Sequence, residues 1–193
     1  MQLDEGGRGF SFRTEAPLDM RMDGRNGETA ADVVNTWAEE DIARVLQENS
    51  DEPLARVIAR VICRRRRQMR ISTTTQLAGI VAGAYCARGW RHSRVHPATR
   101  TFQALRMAVN NEREEIKEGF VGGLSLLANG GRMAVISFHS GEDRLAKMFF
   151  KEHKAMGTPV TKKPLVPTRE ECRANPRARS AKLRVFEKTG EAA

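Results

Sequence analysis

The sequence predicts an α/β protein of two unlike parts, an all-helical unit and a sheet that is short of strands. Three observations carry the prediction. Between Thr29 and Cys86 the apolar residues recur at helical spacing and no stretch reads as a strand. Met133–Phe138 is an apolar run that leaves an Asn-Gly-Gly turn and passes straight into polar residues, the pattern of a buried strand. Only two further segments read as strands, where an open sheet usually has about five.

The elements follow in order. Residues 1–27 are irregular, punctuated by Gly6, Gly7, Gly9, Pro17, Gly24 and Gly27. Thr29 caps a helix holding Val33, Val34 and Trp37, and a second short helix carries Ile42, Val45 and Leu46. Asp51 is expected to cap the next helix, with Pro53 in its first turn. There Leu54, Val57, Ile58, Val61 and Ile62 make one apolar face that runs into Arg64–Arg67. Thr73 to Gln76 fits a capping box, and Leu77, Ile80, Val81 and Ala84 line the helix behind it. Residues 87–99 have no apolar period and read as a loop. One long helix is expected from about Thr101 to Leu127, ended by Asn129-Gly130-Gly131. A helix, a glycine turn and a strand apolar on both faces predict a central, parallel strand at Met133–Phe138. Glu142 and Asp143 are placed to cap a helix whose apolar face holds Leu145, Met148 and Phe149. Pro159–Val166 is a weak strand and Lys182–Lys188 a well-alternating one, with a loop between them.

Composition narrows the function. Hydrophobic residues are 40% of the 193, enough for a core, while a mean hydropathy of −0.52 makes the chain polar. No apolar run has the length of a membrane helix, and MQLDEGGRGF lacks a signal layout. Cys63, Cys86 and Cys172 are scattered and odd in number, which suits a reducing compartment and argues against a disulfide framework or a metal site. The net charge is +9, and its distribution is one-sided. From Pro53 to Asn111 there are 12 arginines and no Asp or Glu, so this block supplies the whole positive excess. A polyanionic partner follows, with nucleic acid first and a merely solvated basic surface as the alternative.

Six stretches together resemble one family. They are QLDEGGRGFSF (Gln2–Phe12), PLDMRMD (Pro17–Asp23), HPATRTFQALRMAVNNE (His96–Glu112), LLANGGRMAVISFHSGEDR (Leu126–Arg144), TKKPLVP (Thr161–Pro167) and NPRARSAKLRVFEK (Asn175–Lys188). In that order they resemble the MraW/RsmH family. The resemblance implies an enzyme that uses S-adenosylmethionine to methylate the exocyclic amine of a cytidine in small-subunit ribosomal RNA. It implies a partial class I, Rossmann-like methyltransferase sheet interrupted by an all-helical insertion. Residues 1–27 and 96–188 would be the C-terminal half of the methyltransferase domain, 28–95 the basic RNA-binding insertion and 189–193 a disordered tail. The family's first strands, a glycine-rich loop of the type G-x-F-G-x-G-G-H-S, an acidic residue for the cofactor ribose and a D-L-G-V-S-S strand end precede the Gln-Leu-Asp position. None of these occurs in this sequence. The chain also reads SFHSGED, with Gly141 where the family has leucine.

The resemblance and the residue chemistry together name a candidate set. His139 and Ser140 lie at the carboxyl end of the best strand, where open α/β sheets bind ligands. Amine methylation needs the nitrogen lone pair aimed and a lost proton accepted. His139 offers an acceptor near neutral pH; the alternative is that it caps a turn. Asp19 and Asn110 complete the catalytic candidates, Asn110 either reading a cytosine edge or making a helix-side hydrogen bond. The resemblance puts Gln2 at the cofactor. Arg8 and Arg21 would hold phosphates while Phe10 or Phe12 stacks a base; an internal Asp–Arg pair that pins the loop is the alternative. Arg88, Trp90, Arg91 and Arg94, with Arg100, are the further RNA candidates, spaced guanidiniums around one stacking ring. The expected partner is small-subunit rRNA or the small ribosomal subunit, in the cytoplasm, with no membrane. The strand at Met133–Phe138 is expected to have one open edge, a route to a dimer or another association. A second function stays open, a non-catalytic RNA-binding or assembly protein.

Overall fold

A computed structural model describes residues 7–25, 27–89 and 95–189. Gln2, Trp90, Arg91, Arg94 and residues 190–193 of the expected tail lie outside the described residues. The chain divides into two compact units between Glu112 and Arg113. Among the described residues no helix is long and apolar enough to cross a membrane.

The first unit is helical: α1 (Ala30–Thr36), α2 (Glu39–Ser50), α3 (Ala55–Arg66), α4 (Thr74–Cys86) and α5 (Ala98–Val109). Thr29 and Asp32 form a capping box on α1, and Thr73 and Gln76 form another on α4, each satisfying two otherwise orphaned amides. Ile42, Leu46, Ile58, Ile62, Leu77, Val81 and Leu105 fill one core. The irregular segment 8–25 adds Leu18 and Met20 to it. Asp51 does not cap α3. It ends α2 in the left-handed conformation, with φ 50°, which aspartate tolerates, and α3 starts two residues later than the proline suggested. Glu52 assists instead, its buried carboxylate accepting from Leu54 N at 3.0 Å and Tyr85 Oη at 2.5 Å.

The expected long helix is two. α5 stops at Val109 and α6 (Glu112–Leu126) begins three residues on. Asn111 is left-handed, with φ 49°, and turns the chain. An Arg106–Glu112 ion pair at 2.7 Å, largely shielded from water, spans the turn.

The second unit holds α6, β1 (Arg132–Ser137), α7 (Ser140–Glu152), β2 (Gly157–Pro159), α8 (Arg169–Ala174) and β3 (Lys182–Lys188). The strand expected to be parallel is not, and among the described residues it has one open edge, as expected. β1 pairs antiparallel with β3, from Arg132↔Glu187 to Ser137↔Lys182, and the strand order is β1-β3-β2. β3, last in the chain, is therefore the middle strand. One face of β1 is half-buried: Met133 and Val135 pack on a cluster of Leu124, Phe149, Phe150 and Phe186. The other face carries Ile136, 61% exposed, and Phe138 beyond it, 54% exposed. The weak strand expected at Pro159–Val166 is not formed: β2 lies before it and shares only Pro159, and one bridge, Leu165↔Leu183, falls within it. Gly157 is required there, because a side chain would strike the Glu187 carbonyl and the Phe186 ring. The segment expected as a loop contains α8, capped by Thr168 on Glu171 N, and a 3-10 turn over Pro176–Ser180.

Candidate functional site

In the first unit the candidates gather around the segment Arg8–Asp23. Leu18 N and Thr74 N bond to Ser72 O and Ala16 O at 2.9 and 3.0 Å, which ties the segment to the start of α4. Met20 takes φ 65° with its side chain fully buried. That left-handed residue costs about 1 kcal/mol, so its neighbours must hold it. Asn110 does so. Its Nδ2 donates to Met20 O at 2.7 Å and to Arg106 O at 2.8 Å, and its Oδ1 accepts from Met22 N at 2.6 Å. Arg8 adds Nη2 contacts to Arg21 O at 2.8 Å and Met22 O at 2.5 Å. Gly9, with φ 77°, runs so close to Pro17 and Asp19 that a Cβ would lie 2.5 Å from Pro17 O.

Asp19 and Arg21 form a two-pronged pair, Nε to Oδ1 at 2.8 Å and Nη2 to Oδ2 at 2.9 Å. The Arg21 guanidinium holds the Asp19 carboxyl below its ordinary range. Asp19 is thus an anionic acceptor with little basicity. Phe12 stacks on His96 at 4.4 Å and meets Phe102 edge-on at 5.1 Å, while the Arg8 guanidinium lies 5.8 Å from the Phe10 ring centre. Arg8, Asp19, Arg21 and Asn110 are brought together, with the pinned loop as their common product. Arg100 reaches Asp51 O at 3.1 Å. Arg88 is exposed just past the end of α4.

In the second unit His139 and Ser140 follow the end of β1. His139 is the N-cap of α7: its Nδ1 accepts from Glu142 N at 3.3 Å, and Glu142 Oε2 accepts from Phe138 N at 2.7 Å and His139 N at 3.3 Å. With Nδ1 accepting, the neutral ring carries its proton on Nε2. That atom is buried 3.2 Å from Glu142 Oε1, off the line of a hydrogen bond. Glu142 closes the cap as expected. Asp143 instead binds Arg184 Nε at 2.7 Å and Lys182 Nζ at 3.4 Å. Burial alone would raise both carboxyls. The His139 ring and Phe138 amide at Glu142, and the two cations at Asp143, outweigh it and hold both below the ordinary range. Ser140 is exposed in the first turn of α7.

Sequence reasoning missed two contributors. The Asn110 bridge spans 90 residues and leaves no local pattern. Arg66, one of four consecutive arginines, donates to Val34 O at 3.0 Å and Trp37 O at 2.7 Å and is structural. The His139–Glu142 box did have a signal, because histidine can stand where Ser or Thr usually caps and Glu sits three residues on.

A family model described as the MraW methylase family matches residues 1–189. Curated relatives called ribosomal RNA small subunit methyltransferase H include those of Deinococcus deserti, 52% identical over 187 residues, and Persephonella marina, 51% identical over 180. A third, from Synechocystis, is 49% identical over 187 residues. The alignments cover 97%, 92% and 97% of this chain and 61%, 61% and 60% of the relatives, so the chain spans about three-fifths of their length. With nearly its whole length matched at about half identity, this chain belongs to the MraW methylase family.

Proposed function

We propose that the chain is the C-terminal part of a methyltransferase acting on small-subunit rRNA, and that the methyl goes to the exocyclic N4 amine of a cytidine. The observation that carries the reading is the family match over residues 1–189 with relatives named as small-subunit rRNA methyltransferases. Those names favour it over an assembly protein that kept only the basic helices. The reading includes a class I, Rossmann-like sheet, with 1–27 and 96–188 as its C-terminal half and 28–95 as a helical insertion. The free edge of β1 is where such a sheet would continue.

His139 and Ser140 then stand at the base-binding end of β1. Asp19 and Asn110 act by positioning, Asn110 through the loop it clamps. Arg8, Arg21, Arg88, Trp90, Arg91, Arg94 and Arg100 contact RNA. Among the described residues the set does not fit S-adenosylmethionine. One groove, between α3 and α4, is rimmed by arginines; another, between α2 and α3, by glutamates and arginines; neither follows a strand through a glycine turn. The resemblance gives that donor one residue of this chain, Gln2. The cytoplasm, where unmodified ribosomal subunits would be met, is the proposed compartment.

The test is a chimera in which this chain replaces the 187 aligned residues of the Deinococcus deserti relative. It is incubated with labelled S-adenosylmethionine and unmodified small subunits. The expected product is N4-methylcytidine by nucleoside mass spectrometry. Label on a different nucleoside, or none where the intact relative transfers, overturns the reading.

A further inference from the structure

We infer that the groove between α3 and α4 is a docking site for an unpaired RNA strand. The inference rests on the RNA reading above and deepens it by naming a surface and the form of RNA. The groove has a volume of about 770 Å³. Its floor is apolar: half-buried Val57 and Val61 from α3, Ile80 from α4, and the α4 glycines 79 and 83. Its rim carries Arg64, Arg65 and Arg88, all exposed. No carboxylate lines it.

The neighbouring groove between α2 and α3 makes the contrast. It is as large, about 780 Å³, and has arginines too, but Glu39, Glu40 and Glu48 line it with them. Arg60 already pairs there with Glu39 at 3.5 Å. That surface neutralises itself; at the α3–α4 groove Arg70 pairs with Asp32 at 3.1 Å, and the exposed Arg64, Arg65 and Arg88 leave a positive rim for an anion from outside.

The two glycines point the same way. Each sits inside a helix, where glycine is less favourable than alanine. Neither has a positive φ or any atom within 4 Å of where its Cβ would be. No packing within the fold requires them. They keep open a floor on which something flat can lie.

Phosphates suit the rim, since guanidiniums fork onto them. The apolar floor selects among nucleic acids. In an A-form duplex the base faces are stacked away, and only sugars, phosphates and groove edges are offered. An unpaired strand offers base faces that apolar surface can cover while the rim holds its phosphates.

The test uses the full chain and fluorescence anisotropy with a labelled single-stranded RNA and its duplex, at low and physiological salt. Gly83→Glu places a carboxylate on the floor without displacing any atom. It should weaken single-strand binding roughly tenfold, the effect expected for losing one base contact, while the thermal melt is unchanged or raised. Arg64→Ala/Arg65→Ala/Arg88→Ala should reduce the log–log salt slope by about 2, at ~0.7 per phosphate. Arg56→Ala, on α3 but in the other groove, should change affinity by less than about twofold. If the unaltered chain binds no RNA even at low salt, the RNA reading itself falls. If it binds and the groove variants behave like Arg56→Ala, the groove is not the site and the RNA reading stands. Equal weakening of duplex and single strand by Gly83→Glu overturns the assignment to an unpaired strand. A shift in the chain's own sedimentation with Gly83→Glu, with RNA affinity intact, makes the groove a contact between copies and overturns it too.

Discussion

Replacing Asn110 with alanine removes three hydrogen bonds in one step, and two of them reach residues far away in sequence. The bond to Arg106 O lies within one helical turn, so water replaces it at little cost. The bonds to Met20 O and Met22 N hold a partly buried segment against α5. At about 1 kcal/mol for each neutral hydrogen bond, their loss destabilises the segment by about 2 kcal/mol. Met20 is already left-handed there, so the segment has little reserve. If the Met22 amide exchanges by local opening, 2 kcal/mol is roughly a thirtyfold loss of protection. If the segment is part of the global unit, a urea slope of about 2 kcal/mol per molar puts the midpoint about 1 M lower. Amide exchange by NMR with a urea titration distinguishes the two. Asn110→Asp should do at least as badly, because its carboxylate would face the Met20 and Arg106 carbonyls in place of a donor. Met22 protection within threefold of the unaltered chain, with an unmoved midpoint, would refute the clamp.

Three further outcomes are expected. Calorimetry of the chain alone with S-adenosylmethionine near 1 mM should show no binding, and a micromolar Kd would overturn the statement that the described residues do not fit the donor. The carboxyls of Glu142 and Asp143 are held low in the folded chain, so the stability they add is present at neutral pH and lost as pH falls through their folded values, below the ordinary carboxylate range. Asp143→Asn should therefore flatten the acid limb of a stability-versus-pH curve for the second unit, and an unchanged limb contradicts the assignment. With one edge of β1 unpaired among the described residues and Ile136 and Phe138 exposed beside it, sedimentation velocity should show concentration-dependent association that Ile136→Lys abolishes; a monomer at every concentration means the edge is protected in another way.

What was legible in the sequence was local. The caps at Thr29 and Thr73 use residues three apart, and β3 spans the same seven residues that alternation marked out. The break at Asn110–Asn111 was hidden because apolar residues keep helical spacing on both sides, from Leu105 and Val109 to Ile116 and Phe120. The left-handed Asn111 and the distant partners of the Asn110 side chain make the break, and neither shows in the apolar spacing. The pairing of β1 was likewise invisible, since strand direction depends on a partner about fifty residues on, not on the strand's own pattern. In the candidate site the Asp19–Arg21 pair and the histidine cap were both foreseen as alternatives to catalytic roles. The left-handed turn at Met20 is written in no pattern of residue types along Pro17–Asp23.

The middle position of β3 has a consequence for the order in which the chain takes shape on the ribosome. β1 and β2 touch β3 and not each other, so neither has a hydrogen-bonding partner until the final strand has been synthesised. Lys188 in that strand also donates to Leu124 O and Leu127 O at the end of α6, and its backbone meets Gly130 and Gly131. The first unit can settle once α5 has emerged, because the contacts among its helices all lie before Glu112. The second unit has to wait with Phe149, Phe150 and Val135 uncovered. A nascent chain stalled between Glu112 and Lys182 would therefore carry one finished unit and one sticky one, and a premature stop there would leave a product for proteases rather than a shortened domain.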